Sequence, residues 1–115
     1  MKYDRLKQKW FLEELERRRH SREMRSAIIS RCTSLFRRFG LDKVILFGSV
    51  AEGRIRENSD IDILAFPLSA DRYWLCRHEL EQAIEYPVDL YTQDDDPKFV
   101  KKILERGEVI YEIQS

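Results

Sequence analysis

Cysteine and histidine are scarce in this chain, two of each in 115 residues. Cys32 and Cys76 stand alone, with no Cys-x-x-Cys spacing and no histidine in a ligand pattern. Neither a thiolate metal site nor a disulfide framework is therefore expected, and both read as reduced, buried thiols. His20 and His78 accompany no nucleophile pattern and are expected at the surface. No apolar run approaches the ~20 residues of a membrane span, and the N-terminus has no apolar signal core. A cytoplasmic protein without a membrane partner is expected. Repeats, low-complexity stretches and linkers are also missing, and the length suits one domain, residues 1–115, with a modest core. Net charge is zero but unevenly spread. Residues 1–39 hold twelve Lys and Arg against five Asp and Glu, whereas residues 40–115 hold nine against sixteen. A basic N-terminal segment thus precedes an acidic remainder.

Residues 3–39 contain neither proline nor glycine and are rich in Leu, Glu, Arg and Lys, which predicts helix. Leu6, Trp10 and Leu15 begin one apolar stripe; Met24, Ile28, Leu35 and Phe39 form another, and residues 16–23 between them are all polar. One straight helix would be ~55 Å long, beside a globule only ~30 Å across. Either the helix breaks near residues 19–21 or its first half projects. The break is the favoured reading, with Ser21 capping a core helix that Gly40 stops. Beyond it, Val44-Ile45-Leu46-Phe47 suits a buried strand. Residues 61–66 predict a second strand, ended by Pro67. Ser69 or Asp71 caps a helix running to about Glu85, with Tyr73, Cys76, Leu80 and Ile84 at helical spacing. Residues 88–91 form a third strand. Asp96-Pro97 opens a last helix with Phe99, Ile103 and Leu104 inward, Gly107 ends it, and residues 109–111 close the chain as a strand. This order predicts a small α/β sheet domain, a catalytic core at residues 40–115 behind a helical segment at 1–39.

Chemistry concentrates in Gly48-Ser49-Val50-Ala51-Glu52-Gly53 and Asn58-Ser59-Asp60-Ile61-Asp62. Glycine after a buried strand lets the backbone turn or approach a ligand closely. Val50-Ala51-Glu52 can then start a short helix whose N–H groups face a phosphate, with the Ser49 hydroxyl as a further donor. Asp60 and Asp62, two apart on a strand, point to one face. Carboxylates ~4 Å apart in a partly shielded site repel by ~4 kcal/mol unless a proton or cation intervenes. Asp89, between Val88 and Leu90, joins them if its strand lies alongside. Such oxygen donors suit Mg²⁺, which takes one or two carboxylates and completes its shell with phosphate oxygens and water. Backbone donors for a polyphosphate beside carboxylates for its cation point to nucleotidyl transfer. The Arg17-Arg18-Arg19 run with Arg22 and Arg25 reads first as a solvated helix face and second as a surface for nucleic acid or an acidic partner. No DNA- or RNA-reading module is present, and nucleic acid is not an expected partner.

Gly48-Ser49, Asp60-Ile61-Asp62 and Asp89, with the closing Glu105-Arg106-Gly107-Glu108-Val109-Ile110-Tyr111, resemble the minimal nucleotidyltransferase family of the DNA polymerase β-type superfamily. The resemblance covers roughly residues 44–111. It implies the polymerase β-type fold, a small mixed sheet of about four strands flanked by helices. It also implies that Gly48 and Ser49 bind the nucleotide and that Asp60, Asp62 and Asp89 are the catalytic, Mg²⁺-ligating residues. Family members often pair with a helical HEPN-domain toxin and silence it by moving AMP from ATP to a tyrosine. The implied function is thus Mg²⁺-dependent transfer of AMP from ATP, or from another NTP its nucleoside monophosphate, to a HEPN-type partner. Two alternatives stand beside it: an antitoxin acting by contact alone, and an enzyme modifying a small-molecule hydroxyl. One position departs from the pattern, because the turn commonly carries arginine where this chain has Glu52. Either Glu52 faces solvent, or Arg54 and Arg56 supply the missing charge. Residues 1–22 are expected to serve association, with a second copy or with a helical partner, because their apolar residues need a cover.

Overall fold

The computed structural model describes residues 2–53 and 60–114. Its first element, α1, is an unbroken helix over Lys2–Arg38. The favoured break near residues 19–21 is therefore corrected, and Ser21 is not a cap but a buried mid-helix residue. The polar stretch holds together because it carries its own pairs at helical spacing: Glu14 with Arg17 and Arg18, and Arg19 with Glu16 and Glu23. Gly40, at φ 68°, ends α1 where expected. There the Gly40 N–H donates to the Arg37 carbonyl and the Leu41 N–H to that of Phe36, a reciprocal pair that satisfies the last free carbonyls of the helix.

Four strands follow: β1 (Lys43–Phe47), β2 (Ile61–Phe66), β3 (Val88–Tyr91) and β4 (Glu108–Glu112). Helix α2 (Ala70–Ile84) joins β2 to β3, and α3 (Pro97–Arg106) joins β3 to β4. The sheet order is β3-β2-β1-β4, with β1 antiparallel to both neighbours and β2 parallel to β3. The sheet is thus mixed, as expected, and the parallel pair exists because α2 carries the chain back across one face.

Alternation along each strand sorts the side chains onto two faces. Val44, Leu46, Ile61, Ile63, Ala65, Val88 and Leu90 meet Ile28, Cys32, Leu35 and Phe36 of α1 and Cys76, Leu80 and Ile84 of α2 in the main core. Burial of Cys32 and Cys76 pushes each thiol up to about 11, so both are inert at neutral pH. The opposite face carries a smaller core, Ile45 and Leu64 against Ile103 of α3, with Phe47, Phe66, Tyr91 and Val100 around it. Leu104, expected inward, is exposed, because one residue past Ile103 turns the side chain ~100° around the helix. Phe99 is likewise at the rim rather than in the core, packed edge-on against Phe47 and Tyr91. His78 is exposed as expected, whereas His20 is half-buried.

The whole measures 58 × 29 × 26 Å, and the long dimension reflects α1. Its second half packs on the sheet and its first half projects, leaving Leu6, Trp10, Phe11, Leu12 and Leu15 between 44% and 61% exposed. Among the described residues no helix is long and apolar enough to cross a membrane.

Candidate active site

The face that holds α3 also holds the carboxylates, since the residues flanking each of them are committed to the main core. Ile61 and Ile63 are buried there, which leaves Asp62 on the other face; Val88 and Leu90 do the same for Asp89. The parallel register sets Asp62 directly beside Asp89. Asp60 lies one residue before β2 rather than on it, exposed, and its charge is felt by both Asp62 and Asp89. Asp62 and Asp89 are thus brought together in register, with Asp60 exposed just before β2.

Their electrostatics show the strain of that meeting. Asp62 is pushed up to about 6, by burial first and then by the charges of Asp89 and Asp60. Asp89 is raised as well, by burial and then by the neighbouring Asp60, with Arg77 pulling the other way. Neighbouring carboxylates raised by burial and by one another, against which Arg77 acts only on Asp89, are the arrangement a cation relieves.

Gly48 closes the other side. Its φ of 73° lies in the left-handed region, and a Cβ there would overlap the Asp62 carboxylate, whose Cγ would stand 3.2 Å away. Glycine is needed twice over, for the turn and for the room that Asp62 occupies. The Glu52 N–H donates to the Gly48 carbonyl at 3.0 Å and that of Gly53 to Val50 at 3.2 Å, while Val50 is buried and anchors the segment. The short helix expected at residues 50–52 is instead this turn, because Gly53, again at positive φ, ends it after one loop of hydrogen bonds. Ser49 is half-buried at the start of the turn. Glu52 is exposed, the first of the two expected placements, and Arg54 and Arg56, the alternative source of charge, lie outside the described residues.

Among the described residues no three His, Cys, Asp or Glu side chains are spaced to enclose a metal ion. The aspartates meet in pairs, Asp62 with Asp89 and Asp89 with Asp60. Hard oxygen donors, too few to enclose a cation and short of positive charge, fit Mg²⁺, which keeps open positions for phosphate and water. Sequence reasoning missed what lies next to them. Phe47 pairs in register with Asp62, and Phe47, Tyr91 and Phe99 form a mutual edge-to-face cluster with centroids 5.3 to 5.9 Å apart. A cavity of about 210 Å³ opens beside it, reaching Gly48, Glu52, Lys102 and Arg106. The only signal in the sequence was the four-residue spacing of the two cations on α3.

A family model described as polymerase beta, nucleotidyltransferase matches residues 30–115. The chain belongs to this family. No curated protein is significantly similar to it by sequence. Among solved structures, this nucleotidyltransferase is similar to a protein in a toxin–antitoxin crystal structure with AMP-PNP, at 25% identity and a TM-score of 0.64, over 75% of this chain and 74% of that one. A protein described as a minimal nucleotidyltransferase is 29% identical with a TM-score of 0.60, over 78% of this chain and 92% of that one. The fold is also that of a chain in the complex of the tri-AMPylated Shewanella oneidensis HEPN toxin with an MNT antitoxin, 21% identical with a TM-score of 0.59 over 78% and 74%. The family match starts at residue 30, so the projecting half of α1 lies outside it.

The Gly48 contact gives the nucleotidyltransferase a sharp steric test. Gly48→Val places a branched side chain at positive φ against Asp62 and is expected to cost about 2–4 kcal/mol of stability. Ser49→Ala should leave stability within about 1 kcal/mol and weaken nucleotide binding alone. Thermal melts paired with calorimetric titration of ATP and Mg²⁺ separate the two; equal stability of Gly48→Val and wild type would contradict the packing described.

Proposed function

We propose that this nucleotidyltransferase moves AMP from ATP to a tyrosine of a helical, HEPN-type partner protein, and that the modification silences the partner. The observation that carries this reading is the closure of the Gly48 turn onto Asp62, with Asp89 beside it in register. Support for the nucleotide and the partner comes from relatives: one is found in a toxin–antitoxin structure with AMP-PNP, and another of the same fold in a complex with an AMPylated HEPN toxin.

Asp60, Asp62 and Asp89 would hold Mg²⁺. When bound, the metal offsets triphosphate charge and lowers the pKa of the attacking hydroxyl. Gly48 and Ser49 receive the phosphates through backbone and hydroxyl donors. The partner's tyrosine oxygen forms a bond to the α-phosphorus while the bond from that phosphorus to the bridging oxygen breaks, and pyrophosphate leaves with the bonding pair. Asp89 takes the hydroxyl proton. The reaction thus needs the chain chiefly to orient groups and balance charge.

The test supplies ATP labelled at the α-phosphate, Mg²⁺ and a HEPN-type helical protein as acceptor. Label on a partner tyrosine is the expected result. A second reading, neutralisation by contact alone, is favoured by Glu52, an acid in the turn that faces the phosphates in the first reading. Neutralisation without label would establish that second reading in place of the first.

A further inference from the structure

The charge that the Gly48 turn lacks is present in the molecule, but on another element. Residues 40–115 hold nine cations, and four of them, Lys98, Lys101, Lys102 and Arg106, belong to α3 or its first turn. Lys102 and Arg106 stand one helical turn apart on one face of α3. Both line the cavity of about 210 Å³ whose other walls include Phe47, Gly48, Phe99 and Glu52. Neither takes part in an ion pair or hydrogen bond among the described residues.

Gly107 explains why these side chains arrive there. It caps α3, its N–H donating to the Ile103 carbonyl at 2.7 Å. A Cβ on Gly107 would run into Ile45 and stand 3.0 Å from the Leu46 carbonyl, so the backbone passes close against β1. That approach seats the last turn of α3 against the end of β1, where the Gly48 turn departs. A helix meeting the sheet there only for packing would not require two cations over the cavity. Complementing the helix C-terminus accounts for Arg106 but less for Lys102, a full turn earlier.

We infer that Lys102 and Arg106 form the receiving site for the β- and γ-phosphates of the bound nucleotide, replacing from α3 the arginine absent at Glu52. The inference rests on the nucleotidyl-transfer reading above and names the groups that give it affinity. Guanidinium and ammonium donors to phosphate make strong, charge-assisted bonds. Because AMP has no β- or γ-phosphate, it should not engage them.

The experiment is calorimetric titration of the full chain with ATP and with AMP, each with Mg²⁺. Lys102→Ala with Arg106→Ala is expected to weaken ATP binding at least about tenfold and leave AMP binding unchanged. Adding Glu52→Arg to that double variant should recover most of the loss, because a cation returns to the turn. Lys102→Arg with Arg106→Lys, which preserves charge at both positions but changes the donor geometry, should lose clearly less ATP affinity than the double alanine variant. Equal weakening of ATP and AMP, or a loss that Glu52→Arg leaves uncorrected, would assign α3 a structural role and overturn the inference. So would unchanged ATP affinity in the double alanine variant. If the wild-type chain itself binds no nucleoside triphosphate, the underlying reading falls together with this one; if it binds ATP and only the α3 variants are neutral, this inference falls alone.

Discussion

Asp60→Asn combined with Asp62→Asn is expected to lower nucleotidyl transfer by at least about a thousandfold while the protein remains folded. The amides keep the shape of the carboxylates but give up the charge that holds a cation. Neither side chain supports the core: Asp60 is exposed, and Asp62 faces away from Ile61 and Ile63. In the absence of Mg²⁺ the variant should be more stable than wild type at neutral pH, because Asp62 is raised to about 6 chiefly by burial and then by Asp89 and Asp60. The sign follows from proton binding. Between an unfolded pKa near 4 and the folded value, the folded state holds more protons, so this group's contribution to stability is greatest below that window. It falls as pH rises towards about 6 and stays low above it. After discounting for solvent access, the effect is on the order of 1 kcal/mol, or a few degrees in Tm. Other carboxylates titrate in the same range, so the quantity to follow is the difference in Tm between wild type and variant from pH 4.5 to 7.5, with and without Mg²⁺. The difference should grow with pH and vanish when Mg²⁺ is added to wild type. Full transfer activity in the variant would remove these aspartates from the chemistry.

The carboxylates were legible in the sequence because their neighbours were. Ile61, Ile63, Val88 and Leu90 declare a buried face by alternation, and each aspartate between them has only the other side to occupy. Strand pairing was less legible: that β3 lies parallel beside β2 depends on the return path of α2, which no local pattern states. The unbroken α1 was misread for a related reason. A polar stretch looks like a break until its acids and bases are matched at three- and four-residue spacing, as Glu14, Glu16 and Glu23 are with Arg17, Arg18 and Arg19. Least visible were Lys102 and Arg106. Their place beside Gly48 arises from β4 pairing with β1, whose register shifts between Val44 and Ile45, and from the close passage of Gly107. Those are contacts between distant parts of the chain, and composition alone marks the two residues as ordinary helix-end cations.

Starting the chain at Ser21 is expected to abolish most of its affinity for a partner protein and to leave nucleotide binding intact. The reason lies in what the first half of α1 fails to do. Although Arg18 stands beside Gly53, it adds no side chain to the buried core, it lies outside the family match, and it leaves two large aromatic side chains, Trp10 and Phe11, 59% and 61% exposed. Leu6 and Trp10 continue outward the stripe that Met24, Ile28 and Leu35 use inside the core, whereas Phe11, Leu12 and Leu15 open a second face. Burying even half of this apolar surface is worth several kcal/mol, which translates to a hundredfold or more in affinity. The basic character of residues 1–39 favours an acidic covering surface, and it should make the association weaken as salt is raised. The residues that anchor α1 to the sheet, Ile28 through Phe39, all remain in the shortened chain, so its stability should change by only about 1 kcal/mol. Three measurements decide the matter: oligomeric state in solution, affinity for a HEPN-type helical protein, and binding of ATP with Mg²⁺. Lower partner affinity with unchanged oligomeric state and nucleotide binding is the expected pattern. A fall from dimer to monomer with partner affinity preserved would make a second copy the occupant of this helix. Unfolding of the shortened chain would show that the segment supports the core and would sink the assignment.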